Sequence, residues 1–507
     1  VTLDVMDLAA EREMSIGTDL MRMFGIGYTG LAVSWTSPVK AEDESPFKDV
    51  VVPNEDPYGS DAQQSRFLAR IQTAIDRNQA IDKHSLCTHP DAVVRLDTPP
   101  DAAGFRVQYK VPETLIPKVR ETVERWLEDG VIERVLSNAD NRWNSPLTLA
   151  PKKDSTGKYT DKRPCLDPRH INKYLKEDRF PLPNINDIFK KFAEAEMYTT
   201  LDLTNAFHRF PILPEHRHKT TFTDPDGRQF MFIGCPFGLK PISSKFQRVM
   251  TTLFTQPPFQ TFVATFVDDI VIYSKDFEEH THHTQLVIDE LTRYNLILNP
   301  KKCHFAQKTI YLLGFCVSAK GKSFLDPRKV TNAQEWPIPT TGKDIQQFLG
   351  LVNYFHQYLP KAPLLAEPVN ALRNHQGRLG NLWTDAHTTS FNKIKESLVL
   401  APYLFSPRPD LPFHVATDAS DVGIGAVLYQ IDTDGTILHN GFMARALSKS
   451  ERNYQITKKE LLAIIFALNK FHQHLWGRHF TLYTDHKALV YIHSQRVLYH
   501  VQYPTVI

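Results

Sequence analysis

Two adjacent carboxylates, Asp268 and Asp269, stand in the middle of an apolar, β-forming run over residues 262–273. An unpaired carboxylate is costly to bury in such surroundings, so these side chains need partners. A tight hairpin that binds a divalent metal ion would supply one. Because consecutive strand residues face opposite ways, we expect Asp268 to be the direct ligand and Asp269 the supporting one. Taken alone, the pair also fits a plain Asp-Asp turn.

A further acid, Asp202, stands at the end of a strand-like segment over residues 197–203. Phosphoryl transfer uses two Mg²⁺ ions about 3.5–4 Å apart, and Mg²⁺ prefers carboxylate oxygens. One aspartate from this strand and one or two from a facing hairpin would form such a site. Phe207 follows soon after and could place its ring beneath an incoming sugar. Core packing is the alternative interpretation of this ring.

The C-terminal part of the chain has three spaced acids of its own, Asp418, Glu460 and Asp485. The first and the last follow predicted strands, and Glu460 lies on the first turn of a predicted helix over residues 458–471. Acids placed in this way can converge on a two-metal site that hydrolyses phosphodiesters. Each acid taken alone is explained by ordinary surface charge.

The elements around these acids alternate between helical and strand-like periodicity, which predicts an α+β fold. Helices are predicted over residues 115–131, 244–253, 345–358, 388–398 and 458–471, and strands over residues 146–151, 197–203, 262–273, 414–417, 425–430 and 480–483. Residues 36–100 are rich in Pro, Asp, Glu and Ser and have few periodic apolar positions, which predicts a linker or a loosely packed extension.

Composition sets wide limits on the function. A chain of 507 residues should form three or four domains. The net charge of +2 neither supports nor excludes a nucleic-acid partner. The five cysteines are widely spaced, which argues against a disulfide framework or a zinc site and favours a reducing intracellular compartment. No run approaches the ~20 apolar residues of a membrane span. His280, His282 and His283 are interpreted as an exposed helix start and not as metal ligands.

As an ordered set, the central motifs resemble the palm of reverse transcriptases. They are, in chain order, Asp202 with Phe207, then Pro236-Phe237-Gly238-Leu239 leading to Phe246-Gln247, then Phe266-Val267-Asp268-Asp269. Upstream, Lys152-Lys153-Asp154 and the run from Arg163 through Cys165, Asp167 and Arg169 to Asn172 resemble the fingers, followed by Phe180-Pro181-Leu182-Pro183 as in that family. One departure is Phe266, where the family usually has Tyr; we interpret it as variation and not as decay.

This resemblance implies roles for individual residues. Asp202, Asp268 and Asp269 would hold the metal ions. Lys152 and Arg163 would contact the triphosphate, where cations offset developing negative charge. Phe207 would be the sugar gate, Phe237 and Gly238 would flank the nucleotide and the template, and Tyr311-Leu312-Leu313-Gly314-Phe315 would be the primer-gripping hairpin.

The C-terminal motifs resemble retrotransposon RNase H domains, which implies that Asp418, Glu460 and Asp485 are metal ligands. These motifs are Asp418-Ala419-Ser420, Gly423-Ile424-Gly425, Lys459-Glu460 and Thr484-Asp485-His486. The family has a further metal-binding acid in a later helix, but no acid follows Asp485 in this sequence. RNase H activity is therefore left open, with truncation or catalytic impairment as the two explanations.

Taken together, the motifs resemble a gypsy-type (Metaviridae) LTR-retrotransposon Pol polyprotein fragment. The implied fold is multidomain α+β, a right-hand polymerase with fingers, palm and thumb followed by an α/β RNase H-like domain. The expected domains are the tail of a retropepsin-like aspartic protease without its catalytic triplet (1–35), a linker or extension (36–104), fingers and palm (105–320), thumb or connection (321–405) and an RNase H-like domain that is C-terminally incomplete (406–507).

The implied function is RNA-directed DNA polymerisation, with RNase H removal of RNA from the RNA–DNA hybrid. The implied cofactor is Mg²⁺, with Mn²⁺ as a substitute, and the implied partners are an RNA template, a DNA primer, the hybrid and dNTPs; a dimer is left open and no membrane is expected. The implied setting is intracellular, in cytoplasmic virus-like particles and also in the nucleus. The alternative from another class is a catalytically decayed remnant that only binds nucleic acid, above all in its RNase H part.

Overall fold

The computed structural model describes residues 56–135, 142–153 and 159–489. The predicted protease tail (1–35), the first part of the predicted linker and residues 490–507 lie outside the described residues. The described chain divides into two compact units. The first unit comprises residues 56–313 and 317–321, and the second comprises residues 314–316 and 322–489.

The first unit mixes helices and strands in the way that the sequence predicts. Its helices are α1 (Asp61–Gln79), α2 (Ile116–Glu128), α3 (Ile185–Lys190), α4 (Ile242–Phe254) and α5 (Phe277–Arg293). Its strands are β1 (Gly104–Phe105), β2 (Ile132–Arg134), β3 (Trp143–Asn144), β4 (Leu147–Lys153), β5 (Tyr159–Leu166), β6 (Met197–Leu201), β7 (Phe222–Thr223), β8 (Gln229–Phe232), β9 (Val263–Phe266), β10 (Asp269–Ser274), β11 (His304–Gln307) and β12 (Ile310–Leu312). The boundary between the units falls within β13 (Phe315–Ser318).

The central sheet of the first unit has the strand order β11-β6-β10-β9, and every pairing in it is antiparallel. Strand β10 is buried from Ile270 to Ser274 because its apolar and β-branched residues pack on both faces. The run predicted over residues 262–273 is therefore a hairpin, β9 and β10, with a two-residue turn. The tight hairpin that the sequence predicted around the Asp pair is present.

The predicted linker is wrong for residues 56–104. Helix α1 occupies 61–79, begins with a capping box at Ser60 and Gln63, and buries Phe67, Ile71 and Ile75. These residues belong to the same hydrophobic core as the central sheet. The composition of this stretch suggested a linker because its Pro- and Asp-rich flanks masked one amphipathic helix.

Helix α2 is shorter than the segment predicted over residues 115–131. Pro117 stands in its first turn, and Val119 and Val123 form its buried face. The helix ends at Glu128 because Gly130 adopts φ +65°, a left-handed conformation that terminates helices. Val131 is buried beyond this turn and does not continue the helical face.

The second unit contains a helical part followed by a second sheet. Its helices are α6 (Pro327–Gln334), α7 (Gly342–Tyr354), α8 (Ala362–Leu365), α9 (Glu367–Ala371), α10 (Asp385–Val399), α11 (Ile456–Lys470) and α12 (His472–Leu475). Its strands are β14 (Lys322–Leu325), β15 (Leu404–Phe405), β16 (Phe413–Ala419), β17 (Gly423–Ile431), β18 (Ile437–Ala446) and β19 (Phe480–Tyr483). Strand β19 has the bounds that the sequence predicted, and the other predicted elements differ by a few residues at their ends.

The sheet of the second unit has the strand order β18-β17-β16-β19. Strands β16 to β18 form an antiparallel meander, while β19 runs parallel to β16. Helix α11 packs on β16 and β17 and buries Leu462, Ala463 and Ala467 against them. Glu460 lies in the second turn of this helix and not in the first, because the helix begins at Ile456.

Two expectations about single residue types are settled by the structure. All five cysteines are free thiols, as the sequence predicted. The interpretation of the histidines as an exposed helix start is wrong for His280, which is fully buried and hydrogen-bonded to Thr199 (2.7 Å) and Ser274 (2.9 Å). Among the described residues, no helix has both the length and the apolar character needed to cross a membrane.

Candidate active sites

The first candidate site lies where β6 ends and β10 begins. The two strands are antiparallel, with Leu201 opposite Ile270. Continuing this register by one residue brings Asp202 opposite Asp269, the first residue of β10. Asp268 precedes it in the hairpin turn. The central sheet therefore gathers the three aspartates that the sequence singled out at one end of two neighbouring strands.

The expectation that Asp268 is the direct metal ligand and Asp269 the supporting one assumed that both are strand residues. Only Asp269 is in a strand, paired with Phe266, while Val267 and Asp268 form the turn. The alternation of strand side chains therefore does not apply to the pair. The choice of Asp268 as the direct ligand therefore loses its basis, and the resemblance implies only that both aspartates hold metal ions.

Gln247 of helix α4 anchors this turn. Val267 has φ +49°, which is unusual for a β-branched residue, and its backbone N–H donates to Gln247 Oε1 at 2.6 Å. Gln247 is fully buried, and its Nε2 donates to Thr251 Oγ1 at 3.1 Å. A buried carboxamide therefore fixes the turn that carries Asp268. The sequence motif contained Gln247, but no periodicity or charge pattern assigned it this contact.

Burial raises the pKa of all three aspartates, and neighbouring carboxylates add to the shift of Asp268 and Asp269. Burial and the neighbouring Asp202 raise the pKa of Asp268. Burial, with the charges of Asp268 and Asp202, raises the pKa of Asp269 to about 6. Burial also raises the pKa of Asp202, although the ammonium of Lys302 opposes it from 3.7 Å. Clustered carboxylates of this kind favour a bound cation, and perturbed pKa values are typical of functional sites.

A loop on the far side of Asp202 holds its backbone. The Asn299 N–H donates to the Asp202 carbonyl at 2.8 Å, and the Asp202 N–H donates to Cys303 Sγ at 3.4 Å. Lys302 projects from the same loop to the Asp202 carboxylate. Sequence reasoning missed Lys302 because its separation from Asp202 in the sequence gives no local signal of contact.

The aromatic residues expected near the nucleotide form one cluster. Phe207 is buried, and its ring lies 5.2 Å from that of Phe237 and 5.3 Å from that of Phe246. The guanidinium of Arg163 lies 5.4 Å from the centre of the Phe237 ring. These contacts are the ones that the core-packing interpretation of Phe207 predicts. Its role as sugar gate stays a prediction, as do the triphosphate contact of Arg163 and the flanking role of Phe237.

Asn172 fixes the loop that contains Gly238. Its Nδ2 donates to the Gly238 carbonyl at 2.9 Å, and its Oδ1 accepts from the Lys240 N–H at 2.9 Å. Gly238 has φ +87°, a conformation that few side chains tolerate. The last residue of the fingers motif therefore holds the loop of a palm motif, which explains why both occur in one ordered set.

Two further expectations concern strand ends. Lys152 lies in β4, with its backbone opposite Asp161 of β5, and its side chain lies outside the described residues. In the segment expected to grip the primer, Leu313 and Gly314 adopt φ +53° and +84° between β12 and β13. This backbone is that of a tight turn.

The second candidate site is formed by β16, β19 and α11. The parallel pairing sets Ala416 opposite Tyr483, so Asp418 and Asp485 each lie two residues beyond a matched pair. Neighbouring parallel strands end at the same edge of a sheet, and Glu460 reaches this edge from α11. The ligand oxygens of Asp418, Glu460 and Asp485 all lie within 4.8 Å of one another.

The donor set at this second site fits a hard divalent cation. Glu460 is 3 % exposed, and its Oε2 is buried without a hydrogen-bond partner. Burial, with the charges of Asp485 and Asp418, raises the pKa of Glu460 to about 7. Burial and Asp485 also raise the pKa of Asp418. An unpartnered buried carboxylate oxygen is rare in proteins, and a metal ion between the three acids would satisfy it.

The acids of the two sites are gathered in different ways. Within the described part of the chain, the oxygens of the three acids at the second site all lie within 4.8 Å of one another. The aspartates of the first site are neighbours in register and in charge, and the ammonium of Lys302 lies beside Asp202. Both sets consist of carboxylate oxygens, the ligands that Mg²⁺ prefers.

Comparison with known proteins identifies the two regions. Residues 150–317 match the family model described as reverse transcriptase (RNA-dependent DNA polymerase), and residues 383–482 match the one described as an RNase H-like domain found in reverse transcriptase. The first match contains Asp202, Asp268 and Asp269. The second contains Asp418 and Glu460, and Asp485 follows it closely.

Curated relatives of this chain are retrotransposon polyproteins. The chain is 31% identical over 403 residues to the retrovirus-related Pol polyprotein from transposon 297 of Drosophila melanogaster, a match that covers 79% of this chain and 36% of the relative. It is 32% identical over 384 residues to the transposon Tf2-3 polyprotein of Schizosaccharomyces pombe, covering 75% of this chain and 28% of the relative. The chain thus spans about a third of the length of these relatives.

Solved structures of similar fold come from foamy virus. The foamy viral protease-reverse transcriptase dRH in complex with ds DNA has a TM-score of 0.73 at 21% identity, covering 87% of this chain and 75% of that one. The foamy viral protease-reverse transcriptase in complex with RNA/DNA hybrid has a TM-score of 0.65 at 19% identity, covering 87% and 58%. The predicted fold, a polymerase followed by an RNase H-like domain, is confirmed. This chain carries a reverse transcriptase domain followed by an RNase H-like domain.

Proposed function

We propose that this chain, which carries a reverse transcriptase domain and an RNase H-like domain, copies RNA into DNA at Asp202, Asp268 and Asp269. We further propose that it cleaves the RNA strand of the resulting hybrid at Asp418, Glu460 and Asp485. The observation that carries the proposal is the same in both units. Strand pairing brings acids that are distant in sequence to one sheet edge, where burial and neighbouring carboxylates raise the pKa of Asp269 in the first unit and of Glu460 in the second. Oxygen donors crowded in this way suit divalent metal ions.

Mg²⁺ is the proposed cofactor at both sites, with Mn²⁺ as a substitute; when bound, such ions stabilise the attacking and leaving oxygens of a phosphoryl transfer. At the first site, Asp202, Asp268 and Asp269 would hold the ions in reach of the primer end. Phe207, Phe237 and Gly238 would orient the nucleotide, and Lys152 and Arg163 would bind its triphosphate. At the second site, the buried Glu460 carboxylate on α11 and the carboxylates of Asp418 and Asp485 at the strand ends would together hold the ion.

The proposed partners are an RNA template, a DNA primer, the RNA–DNA hybrid and dNTPs. Two of the foamy virus structures are complexes with double-stranded DNA and with RNA/DNA hybrid, which supports nucleic-acid partners for a chain of this fold. Phosphate contacts should make binding weaken as salt rises. The proposal also includes a dimer of this chain.

We assign the chain to a gypsy-type LTR-retrotransposon Pol polyprotein, with residues 1–35 as the tail of its protease. The retrotransposon relatives support the wider class. The proposed setting is intracellular, in cytoplasmic virus-like particles and in the nucleus. The proposed domain limits remain 105–320 for fingers and palm, 321–405 for thumb or connection and 406–507 for the RNase H-like domain. The reverse transcriptase relatives support this order.

A second candidate function applies to the second unit alone. In this alternative the three gathered acids do not suffice for two metal ions, and the domain holds the hybrid without cleaving it. The buried, unpartnered Glu460 oxygen favours the catalytic alternative, since a domain that only binds hybrid gains nothing from it.

The test is primer extension on an RNA template with Mg²⁺, using the unaltered chain and Asp268→Asn. Asp289→Asn is the matched control, because Asp289 is a surface acid paired with Arg77 at 2.8 Å. Extension by the unaltered chain and the control, but not by Asp268→Asn, is the expected result. Labelled RNA in a hybrid, with Glu460→Gln, tests cleavage in the same way. No extension by any of the three despite tight primer–template binding would support the decayed-remnant alternative.

A further inference from the structure

The ligand oxygens of Asp418, Glu460 and Asp485 lie within 4.8 Å of one another, and ionised carboxylates at this distance repel, so contacts elsewhere are needed to hold their segments together. Strand pairing accounts for part of this at the second site. Asp485 nevertheless lies beyond the end of β19, and Asp418 lies close to the end of β16. Both segments need a further anchor on the helix that carries Glu460.

The segment of Asp485 has such an anchor. His486, the next residue, forms a hydrogen bond of 2.8 Å between its Nε2 and Thr457 Oγ1. Thr457 is the second residue of α11, one turn before Glu460. The His486 N–H also donates to the side-chain Oγ1 of Thr484 at 3.3 Å, which closes a turn around Asp485. Both Thr457 and His486 are half-buried, where a hydrogen bond is less exposed to competition from water.

The segment of Asp418 has a second anchor from the same helix. Lys459 is buried, and its Nζ lies 2.8 Å from Asp421 Oδ1 in the turn that follows β16. That turn is closed by Ser420, whose Oγ accepts from the Gly423 N–H at 3.0 Å. Asp421 itself is 94% exposed, so this ion pair should be weaker than the contact of Thr457.

We propose that Thr457 and Lys459, which precede Glu460 on α11 by one turn and by one residue, are positioning residues that hold the Asp485 and Asp418 segments against the helix before metal binds. Thr457 acts through His486, and Lys459 acts through Asp421. One helix thereby supplies a carboxylate and also sets the distance of the other two from it. The inference rests on the proposed RNase H function of these acids.

The experiment measures Mn²⁺ binding to the full chain by calorimetry. A parent carrying Asp202→Asn, Asp268→Asn and Asp269→Asn silences the first site, and Glu460→Gln in that parent shows whether the remaining binding belongs to the second. Thr457→Val and His486→Phe should each raise the Kd for Mn²⁺ about tenfold, in the range seen when supports of metal ligands are removed. The double variant should raise the Kd for Mn²⁺ no more than either single variant does, because both substitutions remove the same hydrogen bond.

Conservative and matched variants separate positioning from folding. Thr457→Ser keeps the hydroxyl and should restore binding to the level of the parent. Thr384→Val removes another Thr–His hydrogen bond of this unit, from Thr384 Oγ1 to His387 Nδ1 at 2.7 Å. It should lower the thermal midpoint as Thr457→Val does, but leave Mn²⁺ binding unchanged. Lys459→Met should raise the Kd by only about threefold, and Lys459→Arg should restore it.

Hydrolysis gives a second measurement in a chain with its first site intact. Thr457→Val should lower kcat for RNA cleavage and leave the KM for the hybrid unchanged, since the variant alters the metal site and not the contact with nucleic acid. Unchanged Mn²⁺ binding in Thr457→Val, while Glu460→Gln weakens it, would overturn the positioning role and leave the proposed function intact. Unchanged binding in Glu460→Gln would overturn the metal site and the positioning role together.

Discussion

The two candidate sites place acids at sheet edges by different routes, and their electrostatics differ accordingly. At the first site the antiparallel pairing of β6 with β10 sets Asp269 opposite Asp202, and Lys302 offsets part of the charge from 3.7 Å. At the second site two parallel strands and a helix bring three acids within 4.8 Å, and the buried Glu460 oxygen has no partner. The charge of the first site is therefore partly offset by a cation, whereas the second site gathers three acids around a buried carboxylate oxygen that has no hydrogen-bond partner.

The two sites are also held in different ways. Acids that lie close together need rigid supports against their own repulsion. Gln247 supports one turn of the first site, whereas the second is tied to α11 on two sides.

The largest expected effect is the independent loss of one activity at a time. Asp202→Asn should lower primer extension about a thousandfold and leave RNA cleavage unchanged, because removing a metal ligand removes several kcal/mol of transition-state stabilisation. Glu460→Gln should lower RNA cleavage and leave primer extension unchanged. Both activities are measured on one RNA-templated substrate with labels on each strand. Loss of both activities in either variant would mean that the two sites do not act separately.

The next effect concerns the support of the hairpin turn. Gln247→Leu leaves the Val267 N–H without its buried acceptor, which costs about 1–3 kcal/mol and lets the turn move. We expect primer extension to fall about 10–100-fold, with RNA cleavage unchanged. Gln247→Glu keeps an acceptor oxygen and is the matched control. Equal losses in both variants would show that the turn does not depend on this hydrogen bond.

His280 in the first unit and Glu460 in the second should make contributions to stability that respond to pH in opposite directions. Burial lowers the pKa of His280 in the first unit to about 3, so its contribution to stability is full above the unfolded pKa of ~6.5 and is lost as pH falls. Between pH 7 and pH 5 the first unit should lose about 2 kcal/mol from this residue. Urea unfolding, followed by hydrogen exchange in α5, measures it. A His280→Gln variant that kept the full pH dependence would contradict the assignment.

In the metal-free second unit the sign is reversed. Because the folded pKa of Glu460 is raised to about 7, its contribution to stability is present at low pH and is lost as pH rises from 4.5 through 7. Heating the metal-free chain at a series of pH values should show the transition of this unit shifting downward over that window. Glu460→Gln should remove the shift.

The smallest expected effect is a difference in the pH dependence of metal binding. A metal ion must displace the proton from Glu460 below pH 7 at the second site, and from Asp269 below pH 6 at the first. Mn²⁺ affinity should therefore fall about tenfold per pH unit in each case, beginning one unit higher at the second site. Calorimetry on variants with one site silenced measures each in turn. Identical pH profiles would mean that the two sets of acids are equally crowded.

Much of the fold and of both sites was readable from the sequence because their signals are local. The hairpin around Asp268 and Asp269 follows from a β-forming run with two acids in its middle. Strand β19 follows from four residues of clear β character, and the motif order indicated the family. Helix α1 was missed because its polar flanks resemble a linker, although one face is buried in the core.

The tertiary structure decided what depends on contacts between distant segments. Register set Asp202 opposite Asp269, and it matched the ends of β16 and β19. Lys302 reaches Asp202 from a residue 100 positions away, and Thr457 reaches His486 from 29 away. The sequence by itself determined which acids and which elements are present, since periodicity and residue type act over a few positions. The distances, pKa shifts and supports of the sites were decided by packing, because charge and hydrogen bonding depend on neighbours in space.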